Sequence, residues 1–500
     1  MKLISLQYRD PANSLQAYDF NFDNGRHESN VLEPLCFVGL NGSGKSKLLE
    51  ILAKIFFEMD RLWRNTNRKK PTVTANFRFE YQLLPSSKYK EVVIEGRVGK
   101  TLIVRCDGNE LAPEDLESVM PSNIVGYSSG NNETISTLFH ELREREFGRV
   151  LQEMNEGGKG SRDLSRTLFL DRDSTKLLLL TAYIFAGKNG QGNLPSAAST
   201  TKLLEKFEEF IHLQQLLSFQ IIVDDDSGRI VMSQRMEQVI EKLKRCALMS
   251  SSVEQGKGRI VKLDFFLCEQ SKKAFISEFG SGQDFFERLY ELYSLNLISS
   301  TKTRSHQVFL IPETELKVLV NSPLAETHYL NLSDGEHQFI QVFTSLVYLA
   351  KQDTLFLLDE PESHFNPAWR AKFVLAMDDL LEVKQKSSEF LISTHSPYLV
   401  SACKKRNVFK FTRNRDGKGV NYQPLIDETF GASFDVLLKE LFDMQGLVAE
   451  IARAALQDVI KGKLTNKQKI DVLKSDFGDS FEKRLLIIML EKGLFDAVSD

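Results

Sequence analysis

The chain has 500 residues, 42% of them apolar, 10% aromatic and 26% charged. One hydrophobic core stops growing near ~250–300 residues, so two or three structural units are expected, and the composition excludes a disordered or fibrous chain. Sixty-four Lys and Arg against 68 Asp and Glu give a formal net charge of −4, which excludes general basicity as a means of gripping nucleic acid and leaves only local patches.

In chain order, Leu3 to Tyr8 and Gln16 to Phe22 alternate as strands do, and Leu35-Cys36-Phe37-Val38 reads as a short buried strand. A glycine-rich turn and a helical run from Lys47 to Met59 follow. From Thr74 the pattern is antiparallel, with Phe77, Phe79, Tyr81 and Leu83 on one face, and Val92 to Cys106 adds hairpins, which together predict a β lobe. Residues 132–300 read as mostly helical, with Leu203, Phe207, Phe210, Ile211 and Gln214 marking one amphipathic helix and Met236, Val239, Ile240, Leu243 and Ala247 another. From Leu330 to about Phe411 the signals return to α/β, and the chain from Asn421 is again helical. The predicted divisions are 1–131, 132–325 (a mainly helical insertion), 326–420 and 421–500 (a helical, partner-binding end). Cys36, Cys106, Cys246, Cys268 and Cys403 lie far apart with no CxxC spacing, which predicts no disulfide framework or zinc site and a reducing, cytoplasmic setting. No run of ~18 apolar residues occurs, so no membrane span is expected.

Gly39-Leu40-Asn41-Gly42-Ser43-Gly44-Lys45-Ser46 matches GxxxxGK[ST] between a predicted strand and a predicted helix. Glycines let the backbone curl so that N–H groups at a helix start face phosphate oxygens; Lys45 would reach the β and γ phosphates of ATP, and Ser46 would hold Mg²⁺. An ordinary glycine-rich turn is the bland alternative. Against it stands Thr354 to Glu360, an apolar strand ending in Asp359 and Glu360, where the first acid would order the Mg²⁺ shell and the second polarise an attacking water.

Upstream, Leu332-Ser333-Asp334-Gly335-Glu336 resembles the LSGGQ signature of ABC-type ATPases; downstream, Ser393-Thr394-His395-Ser396-Pro397 resembles their switch-histidine segment, and Pro361 to Pro367 their D-loop. With the motifs in family order, the chain is identified as an ABC-type ATPase head: a P-loop NTPase fold of class α/β, with a mixed sheet, an antiparallel β lobe, a helical insertion and a helical C-terminal region. The resemblance implies that Ser333 and Gly335 of one protomer contact the γ-phosphate bound by the Walker A loop of another in a head-to-tail homodimer, with higher assembly left open. It also implies that His395 acts beside Glu360. Signature Asp334 departs from the family's glycine, and the expected Q-loop glutamine is absent from Val125 to Gly130, where Ser128 or Ser129 is the substitute or an ordinary turn lies. Arg9 stands where chromosome-maintenance heads put an arginine near nucleotide, with Tyr8 the alternative as an adenine stack.

About 285 residues separate Ser46 from Leu332, more than a transporter ATPase carries there, without the coiled coil of chromosome-maintenance heads. The Asp-Glu-Pro-Glu-Ser-His-Phe-Asn-Pro and Ser-Thr-His-Ser-Pro segments look most like the RecF and OLD-type branch. Within it the chain is similar to the ATPase subunits of Septu and retron-associated anti-phage systems. That resemblance implies an HNH-type nuclease partner and, in retron forms, a reverse transcriptase with its RNA–DNA hybrid. Arg61, Arg64, Arg68, Lys69 and Lys70 around Trp63, and Lys404, Lys405, Arg406, Lys410 and Arg413, are candidate nucleic-acid patches, with a solvated basic face the alternative. Three functions stay open: an ATP-hydrolysing switch, an ATP-clamped scaffold that holds a toxic effector with negligible turnover, and a transporter-type ATPase.

Overall fold

In the computed structural model the described residues are 1–12, 17–23, 25, 32–64, 72–83, 89–129, 166–187, 196–225, 232–255, 258–296, 307–321, 324–381, 388–413, 420–425, 427–442 and 448–494. The chain divides into two compact units, Met1–Gly431 and Ala432–Asp500.

The larger unit is built on a seven-stranded sheet with the order Val420–Pro424, Val408–Arg413, Leu35–Val38, Glu389–Ser393, Leu355–Asp359, Ile124–Ser128, Thr167–Leu170. All neighbours pair in parallel except the first two strands. Parallel sheets are covered on both faces, so their central strands read as unbroken apolar runs. Leu355 and Leu357 enter one core with the helix Lys45–Arg64 and the β lobe, while Phe356 and Leu358 enter the other with the helices Arg172–Phe185 and Asp334–Leu349. The helix Lys45–Arg64 follows from Leu48, Leu52, Ile55, Phe56, Met59 and Leu62, whose three- and four-residue spacing forms one buried stripe.

The β lobe is a six-stranded antiparallel sheet ordered Ala17–Asn21, Lys2–Arg9, Asn76–Leu83, Lys90–Gly96, Ile103–Cys106, Asn109–Glu110. Phe77, Phe79, Tyr81 and Leu83 are buried as their alternation predicts.

The insertion differs from its sequence reading. Its described part contains helices, but also a sheet ordered Met249–Gln255, Gly258–Phe266, Leu213–Asp225, Lys317–Asn321, Leu324–His328, with Phe309–Leu310 beside Leu213–Asp225. It is therefore mixed rather than mainly helical, and its Thr167–Leu170 strand belongs to the central sheet. The helix predicted to run through Gln214 stops at Ile211, because His212 takes a left-handed φ of 55° and the chain then turns back as a strand. At the other end, Val420–Pro424 still pairs with Val408–Arg413, so the α/β unit extends past residue 420.

The smaller unit is helical: Phe434–Phe442, Glu450–Lys461, Asn466–Asp476 and Phe481–Glu491. Leu456, Leu473 and Leu490 form a small core among the last three helices. Among the described residues no helix is long and apolar enough to cross a membrane.

Candidate nucleotide site

The parallel strands Leu35–Val38, Leu355–Asp359, Glu389–Ser393 and Ile124–Ser128 end together, and register sets Asp359 opposite both Ser393 and Ser128. Strand C-termini in such sheets are where ligands bind, and the glycine-rich loop, the acid pair and the switch segment all leave from this edge.

Gly39, Gly42 and Gly44 adopt φ of 143°, 74° and 103°. A Cβ at Gly39 would lie 2.4 Å from the Phe411 carbonyl oxygen, and one at Gly44 would lie 2.6 Å from Val420 Cγ2 and 2.9 Å from Tyr18 Oη. Only glycine fits either position. Asn41 and Gly42 are exposed at the loop tip, whereas Ser43 is buried and its hydroxyl has no hydrogen-bond partner among the described residues. An orphaned hydroxyl in a cradle that admits no side chain suits a phosphate oxygen.

Lys45 is buried at the helix start, where Nζ donates to the carbonyls of Gly39 (2.9 Å) and Leu40 (3.3 Å) and lies 3.1 Å from His395 Nε2. Burial lowers the Lys45 pKa, opposed by the charges of Glu360 and Asp359. Burial, followed by the charge of Lys45, pushes His395 down to about 4. An ammonium has only protons to give, so Nε2 is the acceptor and the ring is neutral. The 3.5 Å approach of Glu360 Oε1 to the same nitrogen is therefore not an ion pair.

Asp359 is 4% exposed and collects hydroxyls: Oδ1 accepts from Ser46 (2.9 Å) and Ser393, and Oδ2 accepts from Ser128 (3.4 Å). The Ser46 and Asp359 pair is the hard-oxygen donor set that Mg²⁺ takes beside a nucleotide, and the residues fit that ion. Of the two serines in the segment without a glutamine, Ser128 reaches Asp359 with its hydroxyl and Ser129 with its amide, which donates to the Asp359 carbonyl at 3.0 Å. Glu360 is half-buried, and burial with neighbouring Asp359 raises its pKa. Its φ of 50° costs a non-glycine residue roughly 1–2 kcal/mol.

Ser333 caps the helix Asp334–Leu349 in a capping box with Glu336, its amide donating to Glu336 Oε2 at 2.6 Å. A Cβ at Gly335 would meet the His364 carbonyl oxygen at 2.7 Å, so the signature glycine lets the turn 361–367 pack against this helix start. Asn366 and Pro367 begin the next helix, with the Asn366 side chain accepting from the Trp369 amide at 2.9 Å.

The structure thus gathers Gly39, Gly42, Ser43, Gly44, Lys45, Ser46, Asp359, Glu360 and His395 at one sheet edge, and leaves Ser333 exposed at the signature helix start. Tyr8 is 3% exposed and packs on Phe77, so it does not form an adenine stack. Arg9 donates to the carbonyls of Tyr8 (2.8 Å) and Tyr18 (2.7 Å), a role in the lobe's backbone.

Both basic clusters lose free charge. Lys404 and Arg406 meet Glu33 at 2.9 Å, Arg61 pairs with Glu58, and Arg64 forms a buried pair with Asp60; Arg68, Lys69 and Lys70 lie outside the described residues. Arg413 donates through Nε to the Gly42 carbonyl at 2.5 Å, and Tyr18 Oη donates to the Gly44 carbonyl at 3.1 Å. Sequence reading missed both loop supports, as it missed Gln338, buried on the signature helix and bonded to the Glu360 carbonyl at 3.2 Å.

Residues 274–401 match the family model described as an AAA domain, putative AbiEii toxin, type IV TA system. Protein ea59 of Escherichia phage lambda is 32% identical over 117 residues, 23% of this chain and 22% of that protein. The chain therefore matches about a fifth of the length of this curated relative. Similar solved structures include the Smc head with a coiled coil and joint from Pyrococcus yayanosii (TM-score 0.37, 11% identity, covering 88% of this chain and 99% of that one). The SMC head domain from Thermotoga maritima (0.34, 11%, 85% and 100%) and the recombination mediator RecF (0.34, 14%, 84% and 97%) are others. The matched segment carries Ser333, Asp359, Glu360 and His395, and its strands Leu355–Asp359 and Glu389–Ser393 share one sheet with Leu35–Val38, the strand that leads into the 39–46 loop.

Proposed function

We propose that the chain binds and hydrolyses ATP, closes as a head-to-tail homodimer around it, and uses that cycle to control a partner nuclease in anti-phage defence. The observation that carries the enzymatic part is the Asp359-Glu360 step at the strand end: a carboxylate bonded to the Walker A serine, followed by a half-buried acid whose raised pKa suits a general base. Ser46 and Asp359 would hold Mg²⁺, which when bound neutralises charge on the phosphates. Lys45 and the loop amides orient the β and γ phosphates, with the orphaned Ser43 hydroxyl as a further donor. Neutral His395, against Lys45 and Glu360, is placed to orient the water that Glu360 polarises. Ser333, exposed at the helix start, supplies the contact in trans once a second copy seats there, with Gly335, buried against the His364 carbonyl, behind it.

The toxin–antitoxin wording of the matched family supports control of an effector. An HNH-type nuclease, a reverse transcriptase with its RNA–DNA hybrid, and nucleic acid held by local basic residues are the partners the reading assigns, and the C-terminal region 421–500 is its assigned partner-binding region. Contact with nucleic acid rests on the fewest residues, because Lys404 and Arg406 share Glu33 while Arg61 pairs with Glu58 and Arg64 with Asp60.

The test is Glu360→Gln with Lys45→Ala. Glu360→Gln is expected to keep ATP affinity, lose turnover and accumulate as an ATP-bound dimer by light scattering, while Lys45→Ala loses nucleotide. Wild-type turnover in Glu360→Gln overturns the assignment.

A further inference from the structure

Gln338 lies in the second turn of the helix Asp334–Leu349 and is 2% exposed. The two protons of Nε2 are shared among three acceptors, Tyr127 Oη at 2.7 Å, the Glu360 carbonyl at 3.2 Å and Ser363 Oγ at 3.3 Å, and Oε1 accepts from the His364 amide at 2.9 Å. One amide thus joins four segments: the signature helix, the strand Ile124–Ser128, the end of the Walker B strand and the turn 361–367.

Glu360 holds an unfavourable positive φ, and such a conformation persists only where surrounding bonds over-determine it. On its amino side the Glu360 N–H donates to the Ser393 carbonyl at 3.0 Å, a bond to the central sheet. On its carbonyl side the oxygen accepts from Gln338 and from the Ser363 amide at 3.2 Å. The sheet end of this peptide is fixed, while its other end is tied to the helix Asp334–Leu349 that Ser333 caps.

We propose that Gln338 is a positioning residue that ties the Glu360 backbone and the 361–367 turn to the signature helix, so that seating of the signature segment sets where the Glu360 carboxylate points. This rests on the reading of Glu360 as the general base. Gln338 touches no substrate, and a displacement of its helix reaches Glu360 through one buried amide. A leucine of similar size fills the space and removes all four bonds.

The experiment measures steady-state ATP turnover, fluorescent-ATP affinity and thermal melting for the full chain carrying Gln338→Leu, Tyr127→Phe, Glu360→Gln, and Gln338→Leu with Glu360→Gln. Misplacement of a catalytic group by about 1 Å costs on the order of a hundredfold. Gln338→Leu is therefore expected to lower kcat by about ten- to a hundredfold with ATP affinity within about twofold. In the Glu360→Gln background it is expected to lower single-turnover hydrolysis no further. Tyr127→Phe, which keeps the ring and removes one anchor, gives the same kcat-only pattern at about two- to fivefold even if Gln338→Leu fails to fold. Wild-type kcat in Gln338→Leu or Tyr127→Phe, an affinity loss parallel to the kcat loss, or losses that multiply in the double variant would each overturn the proposal. Full turnover in Glu360→Gln alone would instead remove the reading of Glu360 on which it rests.

Discussion

Replacing Gly39 by alanine separates a glycine needed for its conformation and its close approach from one needed only for conformation. At φ +143° an L-residue is strained, which costs roughly 1–3 kcal/mol. The added methyl would also stand 2.4 Å from the Phe411 carbonyl oxygen. Phe411 cannot retreat easily, because its strand is paired with Val420–Pro424 on one side and with Leu35–Val38 on the other. Overpacking of this kind adds roughly 1–3 kcal/mol, for a total of about 2–6 kcal/mol. Gly42 is the control: its φ is +74°, and the nearest atom to a Cβ there is Arg413 Nη2 at 3.7 Å, an ordinary contact. Gly42→Ala should cost only about 1–2 kcal/mol. The assay is urea unfolding followed by tryptophan fluorescence, since both tryptophans, Trp63 and Trp369, lie in the unit Met1–Gly431. The midpoint should fall much further for Gly39→Ala than for Gly42→Ala, with ATP affinity lost alongside. Equal midpoints, or a stable Gly39→Ala protein that binds ATP normally, would refute the steric argument.

Glu362 is fully buried, accepts from Thr394 Oγ1, and is pushed by burial from the ordinary 4.5 up to about 7. The folded acid keeps its proton where the unfolded one has lost it, so its contribution is complete below 4.5 and is lost as pH rises through about 7. Glu362→Gln, which mimics the neutral acid, should gain about 3 kcal/mol on wild type as pH rises from 4.5 to about 7, at ~1.4 kcal/mol per pH unit, and little more above that; a pH-independent difference in unfolding midpoint would contradict this. Arg64 and Asp60 pair at 2.8 Å with side chains 4% and 5% exposed, and removing one partner of a buried pair costs about 3–5 kcal/mol. Arg64→Met should be strongly destabilised and Arg64→Met with Asp60→Leu much less so, a contrast that thermal melts read directly. Arg413→Ala removes the bond to the Gly42 carbonyl, worth about 1–2 kcal/mol, and should weaken ATP binding by about five- to thirtyfold without a matching loss of turnover at saturation. Unchanged ATP affinity by titration would assign Arg413 no part in the loop.

What the sequence disclosed and what it hid divide by distance along the chain. The phosphate loop, the Asp359-Glu360 step and the switch segment are legible because each places its chemistry within eight consecutive residues at a strand end. The supports of that chemistry are not, since Tyr18 reaches Gly44 across 26 positions and Arg413 reaches Gly42 across 371, and no local pattern marks either. Cys36 and Cys403 show the same limit: they lie 367 positions apart, yet their sulfurs stand 3.2 Å from one another. The insertion misled for another reason. In Leu213–Asp225 the first buried residues are Leu213, Leu216 and Phe219, three apart, and only from Phe219 through Ile221 to Val223 does the spacing become two. Register shifts between Leu213 and Gln215 and between Leu216 and Ser218 produce that spacing, each bulge carrying the strand one residue further along. A bulged strand directly after a helix therefore imitates the helix's period, and only pairing with Gly258–Phe266 and Lys317–Asn321 decides between them. The same reasoning explains Gln338. On the sequence nothing distinguishes it from the other polar residues of the helix, such as His337 and Gln341, and the fold buries it where four segments meet at one amide. A polar residue at a buried helical position is thus a sign that something distant requires its hydrogen bonds, and in this chain that distant group is the backbone of Glu360.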